Sequence, residues 1–254
     1  MSNIVIIPTY KEKENIEALI KAISSLNHVF DILVIDDNSP DGTADIVKGL
    51  QITNPRIHLI ERPGKLGLGT AYIAGFKYAI EKGYDFIYEM DADFSHDPKD
   101  LIRLCKVCEE DGADVAIGSR YISGVNVVNW PLSRVLMSYF ASIYVRFVTG
   151  MKIMDTTAGF KCYRSEVLEN ILTNQIRSVG YSFQIEMKFI AWKLGYKIVE
   201  VPIIFTDRKM GQSKMSGGIF NEAIWSTLRM KIRSWFVKYR RNGATVQRQN
   251  GATA

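Results

Sequence analysis

The chain has 254 residues, enough for one large domain with a full core, and 47% hydrophobic with 23% charged residues excludes a disordered or fibrous chain. The formal charge of +5 is unevenly spread: from Arg208 onward ten Lys and Arg face a single acid, Glu222, so that stretch carries +9 and residues 1–207 carry −4. Basicity confined to one end argues against a nucleic-acid-binding domain and for an anionic surface or substrate, so no nucleic-acid partner is expected.

Short runs rich in branched apolar residues predict strands over Ile4–Ile7, Ile32–Ile35, Ile57–Ile60, Phe86–Met90 and Val115–Ile117. Helical spacing falls between them over Asn15–Leu26, Thr43–Leu50, Thr70–Lys82 and Lys99–Glu110. This alternation predicts a parallel sheet flanked by helices, with ligands gathered at the carboxyl ends of its strands. Beyond Gly118 the pattern predicts a loop over Ser119–Pro131 and a helix over Leu132–Thr149, apolar between Arg134 and Arg146. A helix over Tyr181–Leu194 and a strand over Lys197–Phe205 follow. The run Arg208–Gly218, rich in Gly and bases, predicts a mobile loop, and a last helix runs from Ile219 to Arg241. The expected division is a catalytic-type domain over 1–218, an amphipathic helix over 219–241 and a disordered tail over 242–254.

Several functions lose their footing on the same residues. Three cysteines make no disulfide framework, and Cys105-x-x-Cys108 has no second pair, so it reads as two small residues on the core face of a helix. The amino terminus shows no secretory signal pattern, and Val135–Val145, the longest apolar stretch, is far short of a bilayer-spanning helix of about 20 residues. Gly64-Lys-Leu-Gly-Leu-Gly69 matches neither the dinucleotide nor the P-loop pattern and is expected to be a turn before a helix.

Polar clusters sit where the strands end. They are Pro8-Thr-Tyr-Lys-Glu12, Asp36-Asp-Asn-Ser-Pro-Asp-Gly-Thr43, Asp91-Ala-Asp-Phe-Ser-His96 and Gly118-Ser-Arg-Tyr121. Parallel strands bring all four to one sheet edge, where carboxylates repel unless a cation joins them. A D-x-D pair of hard oxygen ligands suits Mg²⁺ or Mn²⁺ bridging a diphosphate. Asn38–Thr43 is also ordinary turn and helix-cap chemistry, and His96 before Asp97-Pro98 reads as structural.

These four motifs resemble the inverting family 2 glycosyltransferases of the GT-A fold, a mainly parallel Rossmann-like α/β sheet flanked by helices. Within that family they look most like the polyprenol-phosphate mannose synthases, over about residues 3–215. The resemblance implies transfer of mannose from GDP-mannose to a polyprenyl (dolichyl-type) phosphate with inversion. It implies that Pro8, Tyr10, Glu12, Ile35 and Asp37 hold the guanosine. Asp91, Ala92 and Asp93 then meet the diphosphate and the metal, with Ser95 as a third metal ligand where some members carry Gln. Arg120 falls near the donor phosphates or sugar, Arg208 and Lys214 match a phosphate-contacting loop, and Arg134 and Ser138 match the acceptor-phosphate helix. Asp93, Arg120 and Arg134 are thereby the expected catalytic residues. Lys11 stands where many members have Asn, a position expected to tolerate change.

The chemistry is consistent on its own terms. A phosphate monoester, with its second pKa near 6, arrives largely ionised, so the nucleophile needs cations rather than a general base. In the last helix Ile224, Leu228, Ile232, Trp235 and Tyr239 form a stripe flanked by Trp225 and Phe236, with the bases outside it. That is the pattern of an interfacial helix, and it competes with a helix that covers the domain's own core. The expectation is a peripheral enzyme on the cytoplasmic face of a membrane, anchored by this helix or by a partner protein. A UDP-sugar donor on the same fold and a silent sugar-nucleotide-binding scaffold are the alternatives.

Overall fold

Ile4 and Ile6 of β1 (Asn3–Thr9) face one apolar layer and Val5 and Ile7 the other, which is why an unbroken apolar run makes a strand covered on both sides. The structure, a computed structural model, describes residues 1–180, 182–208 and 219–241, the side chains of residues 219–222 excepted. β1 pairs in parallel with β2 (Asp31–Asp36) and β4 (Phe86–Glu89), and β3 (Ile57–Glu61) pairs in parallel beyond β2. β5 (Val115–Ser119) pairs in parallel with β8 (Ile198–Pro202), and with β7 (Lys161–Arg164) they complete a seven-stranded sheet in the order β3-β2-β1-β4-β7-β5-β8.

The sheet is mixed rather than wholly parallel. β7 (Lys161–Arg164) runs antiparallel between β4 and β5, and α6 (Ser165–Leu172) follows it; neither is legible in the sequence pattern. Lys-Cys-Tyr-Arg has charge at both ends and no branched run, so its strand state comes from the two neighbours that hydrogen-bond it. One layer is formed by α1 (Ile16–Ser24), α2 (Thr43–Thr53) and α4 (Asp100–Glu109). The opposite layer contains α3 (Leu68–Glu81), α6 and α7 (Ser182–Lys193), with α5 (Leu132–Thr149) and α8 (Ile219–Phe236) packed on it.

Other boundaries also move. The expected loop over Ser119–Pro131 contains a short strand, β6 (Val127–Val128). The expected strand Lys197–Phe205 breaks after Pro202, which lacks an N–H, and resumes as β9 (Phe205–Thr206) beside β6. Residues 209–218, most of the expected loop, lie outside the described residues, as do Tyr181 and the expected tail 242–254.

Cys105 and Cys108 are buried on the core face of α4, as their spacing implies. A histidine reaches Cys105 in space. His28 Nε2 lies 3.4 Å from Cys105 Sγ and 3.0 Å from Asn3 Nδ2, and with Glu109 three donor atoms converge within 4.8 Å. Burial pushes the Cys105 thiol up to about 12, so it is a protonated member of a hydrogen-bonded cluster.

The last helix ends at Phe236 rather than Arg241, with one face against the core and another exposed. Ala223, Thr227 and Met230 form its buried face, Tyr239 beyond it packs edge-on against Phe189, and Lys231 Nζ donates to Thr149 O at the end of α5. Trp225, Ile232, Trp235 and Phe236 stay exposed on the other side. α5 carries a matching exposed stripe, Leu132, Leu136, Met137, Phe140 and Phe147. No described helix is long and apolar enough to cross a membrane.

Candidate active site

The carboxyl ends of β1 and β2 are stitched together by the small polar residues that follow them. Thr9 Oγ1 donates to Asp36 Oδ1 at 2.9 Å, Lys11 N to Ser39 Oγ at 3.0 Å, and Glu12 N to Thr43 Oγ1 at 3.1 Å. Asp36 and Asp41 are thus turn residues: Asp36 accepts Ser39 N, and Asp41 accepts Thr43 N and Lys13 N. Asp37, unlike Asp36 and Asp41, turns to the cavity above, clamped by Arg62 through Nε at 2.6 Å and NH2 at 2.8 Å. Lys11 has φ +57°, in the left-handed region that Asn tolerates better than Lys, so the position is constrained rather than indifferent.

One cavity of about 680 Å³ opens along this edge. Pro8, Tyr10, Glu12 and Asp37 line it from β1 and β2, and Asp91, Ala92, Asp93 and Ser95 from the turn after β4. Arg120 follows β5, Arg134 and Ser138 stand on α5, and Arg208 follows β9. The ends of five strands and one helix therefore bring together nearly every expected site residue. Ile35 is the exception: its side chain is fully buried in the core beneath the sheet edge, and it does not line the cavity. Lys214 lies outside the described residues.

The D-x-D turn is short of positive charge. Burial at the cavity floor and the neighbouring Asp93 and Glu89 push the Asp91 carboxyl up to about 7. Asp93 Oδ2 lies 2.9 Å from Arg208 NH2, and Asp93 Oδ1 accepts Ser95 N at 3.1 Å. Ser95 Oγ is buried with no hydrogen-bond partner among the described residues. An under-neutralised carboxylate pair beside an unused buried hydroxyl is an oxygen set that fits a divalent cation. His96 Nδ1 stands 4.0 Å from Asp91 Oδ2, but burial pushes its pKa down to about 4, and its ring stacks on Phe160. It is a neutral packing element near the turn.

Arg120 is held more firmly than its expected place beside the donor would suggest. Its Nε and NH2 each donate to Asp155 at 2.7 Å, and NH2 also reaches Thr157 Oγ1 at 2.7 Å. The guanidinium is buried among Tyr121, Trp130 and Phe205. Two residues earlier Gly118 leaves room for a different neighbour, since a Cβ there would lie 2.7 Å from Phe160 Cδ1. Arg134 lies over the Trp130 ring at 4.1 Å and donates to Asp207 Oδ1 at 2.8 Å, and Tyr121 OH donates to Ser138 Oγ at 2.8 Å.

A second polar layer lies beneath the floor. Lys161 is fully buried 3.0 Å from Glu89, and Gln184 joins both, donating to Glu89 Oε2 at 2.7 Å and accepting from Lys161. Lys188 Nζ caps the carbonyls of Thr156 and Ala158 at 3.0 and 2.6 Å. Sequence reasoning missed Asp155, Lys161, Gln184 and Asp207. Charged residues inside otherwise apolar stretches were the available signal for Lys161 and Lys188; no motif spacing marks Asp155 or Asp207.

Residues 4–172 match the family model described as glycosyl transferase family 2. The chain is 44% identical over 238 residues to the polyprenol monophosphomannose synthase of Mycolicibacterium smegmatis, covering 93% of this chain and 88% of that one. It is likewise 44% identical over 229 residues to the undecaprenyl-phosphate mannosyltransferase of Micrococcus luteus, covering 90% of this chain and 93% of that one. Among solved structures, glucosyl-3-phosphoglycerate synthase from Mycobacterium tuberculosis, in complex with Mn²⁺, UDP and glucosyl-3-phosphoglycerate, aligns with a TM-score of 0.65 at 17% identity, over 91% of this chain and 79% of that one. A mannosyltransferase from Pyrobaculum calidifontis, in complex with GDP-Man and Mn²⁺, aligns with a TM-score of 0.59 at 17% identity, over 95% of this chain and 64% of that one. At such identities the likeness to the two solved structures is one of fold, the GT-A arrangement of a mainly parallel sheet flanked by helices.

Proposed function

The chain belongs to glycosyl transferase family 2, and on that premise we propose that it transfers mannose from GDP-mannose to a polyprenyl phosphate with inversion, giving mannosyl-phospho-polyprenol. One juxtaposition carries this reading. Arg134 stands in the wall of the acid-lined cavity, and Met137, half-exposed on the same face of α5, lines that wall with it, so a phosphate bound there has an apolar side chain beside it to start the path of its lipid tail.

The donor occupies the β1–β2 side. Tyr10, Glu12 and Asp37 bound the base and ribose end, with Asp37 fixed by Arg62. Asp91 and Asp93, with the Ser95 hydroxyl, would hold a divalent cation such as Mg²⁺ or Mn²⁺, which supplies charge neutralisation to the departing diphosphate. Arg208 adds a fixed cation on the same side, and its fork suits phosphate oxygens. Arg134 orients the acceptor phosphate, whose oxygen is already charged and attacks the anomeric carbon opposite the leaving group, so no protein base is required. Arg120, locked on Asp155, shapes the cavity wall between the two.

The exposed faces of α5 and α8 supply the membrane contact, with the exposed Arg229 toward anionic headgroups, and the proposed location is peripheral, on the cytoplasmic face of a membrane. An anchoring partner protein is the alternative, and vesicle binding by the purified chain alone would remove it. The test of the reaction is a donor panel of GDP-mannose, UDP-glucose and UDP-N-acetylglucosamine with a polyprenyl phosphate and Mg²⁺ or Mn²⁺. Mannosyl lipid from GDP-mannose is expected. Transfer only from a UDP-sugar overturns the donor, and no transfer with any donor favours a sugar-nucleotide-binding scaffold.

A further inference from the structure

Two adjacent residues of opposite charge close the cavity from one side. β9 is fastened by Thr206 N donating to Ser95 O at 3.1 Å and by the next amide, Asp207 N, donating to Val128 O at 3.0 Å. Successive side chains of an extended segment point to opposite sides. Asp207 accordingly reaches α5 and takes Arg134 at 2.8 Å, whereas Arg208 reaches the D-x-D turn and takes Asp93 at 2.9 Å. Arg134 and Asp207 are each about a quarter exposed, at 27% and 29%, so water and a ligand reach the pair.

We propose that the Asp207 carboxylate is an internal stand-in for the acceptor phosphate, holding Arg134 in place until a phosphate exchanges with it and reclaiming it when product leaves. This rests on the reading of Arg134 as the acceptor-phosphate ligand. The carboxylate brings one negative charge to Arg134, whereas a phosphate monoester brings about 1.5 to 2 and three acceptor oxygens, so the entering substrate wins the exchange. The product is a phosphodiester with a single charge, and its hold on Arg134 is weaker. Asp207, tethered to β9, is then a competitor of matching charge at high local concentration. An internal competitor lowers the apparent affinity for every anion at Arg134 by one common factor, so it weakens substrate binding and product binding alike. Asp207 is a positioning residue in this scheme: it touches neither donor nor reacting atom and acts through Arg134.

The experiment is equilibrium binding of geranyl phosphate and of its methyl diester to wild type, Asp207→Asn, Asp207→Ala and Arg134→Gln, followed by steady-state kinetics. Removing the competitor should tighten both ligands by a similar factor, about two- to fivefold for a partly exposed ion pair. Turnover should then show a lower KM for the acceptor together with a lower kcat, because the product leaves more slowly. Asn keeps the acceptor oxygen that Arg208 N uses at 3.1 Å, and Ala repeats the charge removal without it. If either folded Asp207 variant binds the probes no more tightly than wild type, or its KM rises, Asp207 merely braces Arg134 and the proposal is wrong. If Arg134→Gln binds geranyl phosphate as wild type does, the underlying assignment of Arg134 is what fails.

Discussion

Arg120 and Asp155, thirty-five residues apart, form a buried two-pronged ion pair, with Nε and NH2 each 2.7 Å from a carboxylate oxygen and the Arg120 amide 2.9 Å from Oδ2. The pair ties the turn after β5 to the segment before β7, and so sets the wall between the donor and acceptor sides of the cavity. Burial pushes the Asp155 carboxyl up, but the Arg120 charge and hydrogen bonds outweigh it and hold the group below its usual 3.8. A carboxyl depressed on folding contributes stability that is present above its unfolded pKa and lost as pH falls through the folded value. Wild type should therefore lose stability below about pH 4, in the range of the unfolded carboxyl, more steeply than Asp155→Asn. Asp155→Ala should cost about 3–5 kcal/mol at pH 7, because it strands a buried guanidinium. Denaturant titrations across pH check both statements, and equal slopes in the two proteins would contradict them.

Asp93→Ala should abolish turnover, by a factor of at least about 100, since it removes an oxygen ligand at the developing diphosphate charge. The fold should survive, because Asp93 lines the cavity and belongs to neither apolar core layer. Thermal unfolding and a transfer assay read the two effects separately. Wild-type turnover in this variant would remove the metal-binding role of the turn.

Lys11→Asn should stabilise the protein by about 0.5–1 kcal/mol, as Lys11 sits at φ +57° where a short polar side chain is better tolerated. Its amide is held by Ser39 Oγ, which keeps the turn in place in both proteins. A shift of the thermal midpoint measures the gain; an unchanged or lower midpoint counts against strain at this residue.

Trp225→Ser with Trp235→Ser should lower binding to anionic vesicles at least about tenfold, given the apolar area each indole would bury in the interface. Point substitutions are the right probe. Removing α8 altogether would uncover the core face formed by Ala223 and Met230. Flotation with unchanged binding by the double variant would leave α8 as a cover for the domain alone.

The strands at the centre of the sheet were legible because Ile4–Ile7 and Ile32–Ile35 are buried on both faces, which writes an unbroken apolar run into the chain. The polar clusters after them were legible for the same reason: parallel strands put their carboxyl ends on one edge. The division of charge was equally visible, with a −4 body carrying the acid turns and a +9 end carrying Arg208 and the bases of the last helix. What the sequence by itself determined, then, is the parallel strands of the sheet, the acid-lined edge and the family to which they belong. Only the tertiary structure decided which partner each charged group takes. β7 exists because β4 and β5 hydrogen-bond it, Ile35 turns to the core, and Asp36 and Asp41 serve the turn while Asp37 serves the cavity. Arg120 belongs to Asp155, Arg134 to Asp207 and Arg208 to Asp93. Local spacing encodes periodic burial, whereas an ion pair depends on where two side chains distant in sequence come to rest, and that is fixed only when the layers pack.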